Sequence, residues 1–205
     1  MTDLWIASAN EKKRKELHEI LAAAGLDLRL RLMSELPGMA DIVEDGATFA
    51  DNAAIKATAV ALRARGWAVG DDSGLCVDAL GGRPGVHSAR YAGPGKSDQD
   101  RIAKLLAELR GMREPERTAR FVCSLALANP AGAVVRRAEG TCEGKILEAA
   151  RGAGGFGYDP VFFCPQAGKT FAELSSEEKH RLSHRGKALR ALLGQLPPEL
   201  SGAAS

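Results

Sequence analysis

The sequence predicts an α/β protein built on a mixed sheet with flanking helices. Two observations carry this. Short apolar runs of strand character interleave with longer segments whose apolar residues recur at helical spacing. The stretch ARFVCSLALANPAGAVVRRAEGTCEGKI reads as a long hairpin, whose strands are antiparallel, so the sheet cannot be purely parallel. A chain of 205 residues can bury roughly 70% of its unfolded surface and needs neither disulfides nor metal to fold. No shift of composition marks a linker. A single domain is expected over residues 1–195, with a flexible tail at 196–205.

Leu4-Trp5-Ile6-Ala7 opens the chain as an unbroken apolar strand. Asn10 then stands where its side chain can cap EKKRKELHEILAAAG, in which Leu17, Ile20 and Leu21 share one helical face and Gly25 ends the run. LDLRLRL alternates apolar and polar residues, as a half-exposed strand does. After the Pro37-Gly38 turn, Thr48 caps an alanine-rich helix, TFADNAAIKATAVALRAR, that is expected to end at Gly66. Trp67-Ala68-Val69 is a third short strand leading into Gly70-Asp71-Asp72-Ser73-Gly74. A helix follows from Ser97 to Leu109, and the hairpin after it turns at Asn129-Pro130-Ala131-Gly132. PVFFC is a buried strand, and Ser175 with Glu178 forms a capping box that opens the last helical stretch.

Composition narrows the function classes. Lys and Arg number 28 and Asp and Glu 26, a net charge of +2, which excludes a polybasic nucleic-acid coat and an acidic disordered chain. No apolar run is long enough to span a membrane, and MTDLWIASANEKKRKE lacks the basic flank and apolar core of a secretory signal. Cys76, Cys123, Cys142 and Cys164 are scattered without a CxxC pair. A cytoplasmic protein with reduced thiols is expected, with no membrane and no nucleic-acid partner.

Four places gather residues that can do chemistry. Ser8, Asn10 and Lys13 lie where the first strand becomes the first helix, and a helix N-terminus with a lysine in its first turn is suited to phosphate. The same residues describe an ordinary capped surface helix. No GxxxxGK[ST] occurs, so a P-loop enzyme is excluded. In Gly70-Asp71-Asp72-Ser73-Gly74, adjacent carboxylates at the end of a strand call for a cation, and oxygen ligands suit Mg²⁺; a turn with Asp caps is an equal alternative. Glu44, Asp45 and Lys56 are further acids and a base near that point, each readable as a solvated surface group; Asn52 shares a helix face with Lys56. In Gly152-Ala153-Gly154-Gly155-Phe156-Gly157-Tyr158-Asp159, glycines flank a ring that can stack on a nucleobase, or that packs in the core beside a turn. Lys179 and Ser183-His184-Arg185 form a last cationic group, either a helix cap or a set of donors for a carbonyl or phosphate oxygen.

SANEKK, EDGATF with Asn52 and Lys56, GDDSGL, ALGGRPGVHSARYAG, GGFGYDPVF and EEKHRLSHRGKAL occur in the order found in the inosine triphosphate pyrophosphatase family, which the chain resembles from Leu4 to about Leu193. The resemblance implies two lobes around a nucleotide-binding cleft and a homodimer. It implies hydrolysis of ITP, dITP and XTP to the monophosphate and pyrophosphate, which clears such nucleotides before they enter DNA and RNA. By the same resemblance Ser8, Asn10 and Lys13 grip the triphosphate, Glu44 and Asp72 hold Mg²⁺, and Asp72, Lys13 and Lys56 are catalytic. Ser73 contacts substrate, and Phe156, Gly157, Tyr158, Asp159, Lys179, His184 and Arg185 bind the base. Ala9 departs from the glycine common at that position, which alters how closely phosphate approaches. A pyrophosphatase for modified pyrimidine or methylated nucleotides is the rival enzyme. A catalytically idle nucleotide sensor is the rival from another class, and the presence of Asp72, Glu44 and Lys13 together argues against it.

Overall fold

The computed structural model describes residues 2–39, 41–113 and 116–201. Its strands are β1 (Thr2–Ile6), β2 (Leu28–Leu32), β3 (Trp67–Val77), β4 (Thr118–Ala128), β5 (Val134–Ile146), β6 (Phe162–Cys164) and β7 (Lys169–Thr170). The helices are α1 (Glu11–Ala23), α2 (Phe49–Ala64), α3 (Asp98–Glu108), α4 (Ser176–Leu182), α5 (His184–Leu193) and α6 (Pro198–Ser201). All seven strands belong to one sheet in the order β2-β1-β3-β4-β5-β6-β7. β1 runs parallel to β2 and to β3, while β6 is antiparallel to β5 and β7. The sheet is mixed, as predicted.

The starts of α1 to α4 follow the sequence closely, because each has a side chain that satisfies an otherwise orphaned amide. Asn10 accepts from the Lys12 amide at 2.9 Å. Thr48 with Asp51, Ser97 with Asp100 and Ser175 with Glu178 form reciprocal capping boxes at α2, α3 and α4. Two boundaries differ from expectation. α2 ends on Arg65, which takes the left-handed conformation (φ 49°) expected of a glycine. β3 runs through 11 residues, so Gly70–Gly74 lies inside a strand and is not a turn at a strand end.

The chain divides into two compact units. The first comprises Met1–Asp72, Cys123–Gly140 and Arg185–Ser205; the second comprises Ser73–Val122 and Thr141–His184. In the first unit the two-residue period of the strands sorts side chains onto two faces. Leu4, Ile6, Val69, Cys123, Leu125 and Leu127 pack with α1, α5 and Leu200 of α6. Trp5, Ala7, Ala68, Ala126 and Ala128 pack with Ala53, Ala57, Val60 and Ala61 of α2. The small residues on that second face let α2 approach closely. Leu200 is buried at the start of the expected tail; residues 202–205 lie outside the described residues.

The second unit has its own core, in which Leu75, Leu105, Phe121, Ile146, Phe162 and Phe171 meet. Among the described residues no helix is long and apolar enough to cross a membrane.

Candidate functional site

β3 separates two neighbouring acids. Successive side chains on a strand point to opposite faces, so Asp71 follows Val69 toward α1 and α5, and Asp72 follows Ala68 toward α2. Both are buried. An acid buried in this way is stable only with partners, and each has its own set.

On the first face, the Lys13 ammonium donates to Asp71 Oδ1 at 2.7 Å and the Arg185 guanidinium Nε donates to Oδ2 at 2.7 Å. Arg185 Nη1 also donates to Glu16 at 2.7 Å. Burial pushes the Asp71 carboxyl up, but Arg185 and Lys13 outweigh it and hold the group well below the usual carboxylate range. Burial acts downward on Arg185, yet Asp71 and Glu16 carry it well above its ordinary value. Ser8 and Asn10 stand at the start of α1. The Asn10 amide donates to the Ser8 hydroxyl oxygen at 3.1 Å, which closes the turn that leads into the helix.

On the other face, Lys56 Nζ lies 2.8 Å from Asp72 Oδ1 and 3.4 Å from Glu44. The Asn52 side-chain amide donates to Asp72 Oδ2 at 3.2 Å and its oxygen accepts from the Gly46 amide at 2.8 Å, which ties the loop carrying Glu44 to the strand carrying Asp72. Asn52 and Lys56 point the same way because four residues make about one helical turn. Burial raises the Asp72 carboxyl above its ordinary value; Lys56 acts against this, Glu44 adds to it and the Asn52 hydrogen bond opposes it. Gly70 permits the approach of α2, since a Cβ there would overlap the Ala53 carbonyl and stand 2.8 Å from the Ala57 amide.

Two carboxylates gathered about one ammonium are an oxygen donor set of the kind Mg²⁺ uses when phosphates and water complete its shell. Glu44 and Asp72 therefore fit that ion. Among the described residues no three His, Cys, Asp or Glu side chains converge.

In the second unit, the segment that carries Phe156 is folded back on itself. Asp159 Oδ2 accepts from the Phe156 amide at 2.8 Å and from Lys179 Nζ at 2.7 Å. The same ammonium lies 4.7 Å from the Phe156 ring centroid, a cation–π contact that covers part of a half-buried ring. Gly155 and Gly157 take φ of 74° and 61°, a turn that residues with a Cβ rarely adopt. The Gly157 amide donates to Asp98 at 2.7 Å, and the Tyr158 hydroxyl donates to the Ser88 carbonyl at 3.0 Å. The His184 ring stacks on Phe121, with centroids 4.7 Å apart and planes 11° from parallel.

The structure thus brings Lys13 onto Asp71, and Lys56 and Glu44 onto Asp72. It brings Phe156, Asp159 and Lys179 together, with Gly157 and Tyr158 acting through the shape and support of their loop. Ser73 follows Asp72 in β3 and is half-buried. Arg185 donates through Nε to Asp71 and through Nη1 to Glu16. Sequence reasoning missed the partners Glu16, Asp98 and Ser88. Glu16 had a signal, three residues after Lys13 beside the apolar stripe of α1; Ser88 lay in the block ALGGRPGVHSARYAG without a role, and Asp98 had none.

A family model described as the Ham1 family matches residues 4–195. The dITP/XTP pyrophosphatase of Geobacillus kaustophilus is 52% identical over 192 residues, which covers 94% of this chain and 93% of that protein. The dITP/XTP pyrophosphatase of Bacillus subtilis is 48% identical over 192 residues, 94% of this chain and 96% of its own length. Among solved structures, a Ham1 protein from Coxiella burnetii superposes with a TM-score of 0.84 at 40% identity, covering 94% of this chain and 96% of that one. The Ham1 protein of Staphylococcus aureus gives 0.83 at 38% identity, over 98% and 100%.

Proposed function

Because this chain belongs to the Ham1 family, we propose that it hydrolyses ITP, dITP and XTP to the monophosphate and pyrophosphate, and so keeps these aberrant purine nucleotides out of DNA and RNA. The observation that carries the chemistry is a buried carboxylate, Asp72, held by Lys56 and Asn52 with Glu44 beside the same lysine.

Hydrolysis requires water to attack the α-phosphorus while the bond to the bridging oxygen of the pyrophosphate breaks. The proton lost by that water passes to the Asp72 carboxylate, whose orientation Asn52 and Lys56 fix from two sides. Charge that develops on the departing pyrophosphate is met by Lys13, by Lys56 and by the amides at the start of α1, near Ser8 and Asn10. Mg²⁺ held by Glu44 and Asp72 would neutralise phosphate oxygens. The half-buried Phe156 ring offers a stacking face for the purine, and Lys179 and Asp159 supply a donor and an acceptor beside it. His184 and Arg185 are the remaining polar groups of the base-binding set. Ser73 follows Asp72 and contacts substrate in this reading. A homodimer in the cytoplasm, with no nucleic-acid partner, completes it and rests on the family resemblance and the composition.

Pyrophosphate release from ITP, dITP, XTP, ATP and GTP, with and without Mg²⁺, tests the proposal. Turnover of the first three well above the last two is expected. No release from any of them would leave a nucleotide sensor as the better reading.

A further inference from the structure

The segment that joins β3 to α3 contains GRPGVHSARYAG, which sequence reasoning singled out without giving any of its residues work to do. In the second unit this segment and the first turn of α3 hold the Phe156 loop at two points. The Tyr158 hydroxyl donates to the Ser88 carbonyl at 3.0 Å, and the Ser88 hydroxyl in turn accepts from the Leu75 amide at 2.9 Å, so this anchor reaches β3. The Gly157 amide donates to Asp98 Oδ2 at 2.7 Å. The other Asp98 oxygen is engaged by Arg101, whose Nη1 donates to the carbonyls of Ala89 at 2.8 Å and Lys96 at 3.0 Å.

We propose that Asp98 is a positioning residue for base recognition, fixing the Phe156 ring through the Gly157 amide; this rests on the nucleotide reading above. A loop with glycines at 152, 154, 155 and 157 has many conformations to lose when a ligand orders it. A charge-assisted hydrogen bond to the residue next to the ring removes that disorder beforehand. Asp98 touches neither base nor phosphate in this account. Its carboxylate is neutralised on one side by Arg101 and meets a main-chain donor on the other, so it acts on the loop's backbone whatever the side chains there are.

Asp98 also opens α3, where an acid has a simpler value as a partner for the helix N-terminus. Asp100 separates the two roles. It completes the Ser97 capping box, accepting from the Ser97 amide at 2.9 Å, and the recorded contacts of its side chain lie at that cap.

The experiment compares Asp98→Ala, Asp98→Asn and Asp100→Ala by amide hydrogen exchange over residues 155–159 and by steady-state kinetics with ITP and Mg²⁺. Asp98→Ala is expected to speed exchange at Gly157 and to raise KM for ITP about tenfold with kcat kept within about twofold. Asp98→Asn keeps an acceptor oxygen and should recover most of both. Asp100→Ala should lower Tm and leave Gly157 exchange and KM unchanged. An unchanged KM and exchange rate in Asp98→Ala, or equal changes in Asp98→Ala and Asp100→Ala, overturns the proposal. If the unsubstituted protein turns over no ITP, the nucleotide reading fails, and the exchange comparison alone then decides whether Asp98 holds the loop.

Discussion

Asp71 and Asp72 are bonded neighbours that belong to separate networks: Asp71 holds Lys13 and Arg185, and Asp72 holds Asn52 and Lys56. The pleat of β3 divides them, so one pair of adjacent acids supplies an ion-pair network on one face and, on the other, the carboxylate we propose to be catalytic. Substituting them one at a time should therefore damage different properties.

Asp72→Asn is expected to lower kcat for ITP by ~10²–10⁴-fold, the usual contribution of a positioned acid or base, while thermal unfolding stays cooperative. Asp71→Asn should lower Tm more than Asp72→Asn does and kcat less. Measuring both quantities on both variants decides it; the opposite ranking would reverse the two assignments.

Lys13→Ala should raise KM for ITP by roughly tenfold, the value of one hydrogen bond to a charged group, and leave inhibition by IMP within about twofold. Lys13 lies at the start of α1, where the two terminal phosphates are expected and the α-phosphate is not. Inhibition constants for IMP and pyrophosphate, measured beside KM, give the comparison. Equal losses for IMP and ITP would place Lys13 elsewhere.

Arg185→Ala removes a buried cation from between two acids, Asp71 and Glu16. Breaking a buried pair from one side costs about 3–5 kcal/mol, which for a chain of this size lowers Tm by roughly 10 °C. Turnover of ITP and of ATP should fall by the same factor if the ion pairs with Asp71 and Glu16 are the whole of its role. A selective loss of ITP turnover would show that Arg185 reads the base as well, as the family resemblance implies.

Both tyrosines resist ionisation. Burial, together with the hydrogen bond to Glu108, pushes Tyr91 up to about 12, and burial pushes Tyr158 higher still. A group whose folded value is raised gives stability that is fully present below its unfolded value, about 10, and is lost as pH rises through the folded one. Absorbance at the tyrosinate band should therefore stay flat through pH 10 and rise only as the protein begins to unfold above it. Tyrosinate formed near pH 10 with the fold intact would show that at least one of the two rings is more open to water than the structure has it.

Much of this was legible beforehand. Asn10, Thr48, Ser97 and Ser175 announced four helices because a cap is a local event, settled within four residues. The mixed sheet was legible from the hairpin. What a strand does beyond its apolar residues was not: Gly70–Gly74 has the composition of a turn, yet it continues β3, which lies between β1 and β4 in the sheet. The same limit hid the bond from Arg185 to Asp71, whose partners stand 114 residues apart in the chain. Asp98 could not be read at all, since its partner is a backbone amide 59 residues away.

Gly70 gives the site a way to fail that no list of chemical groups would reveal. A single methyl at that position would press on the Ala53 carbonyl and the Ala57 amide, and so lift α2, with Asn52 and Lys56, off the strand that carries Asp72. A chain altered only there keeps every acid, lysine and aromatic ring and would pass any inventory of catalytic residues while the distances among them no longer serve. Judging whether a related chain is active therefore means inspecting a place where nothing is present as carefully as the places where the reacting groups are.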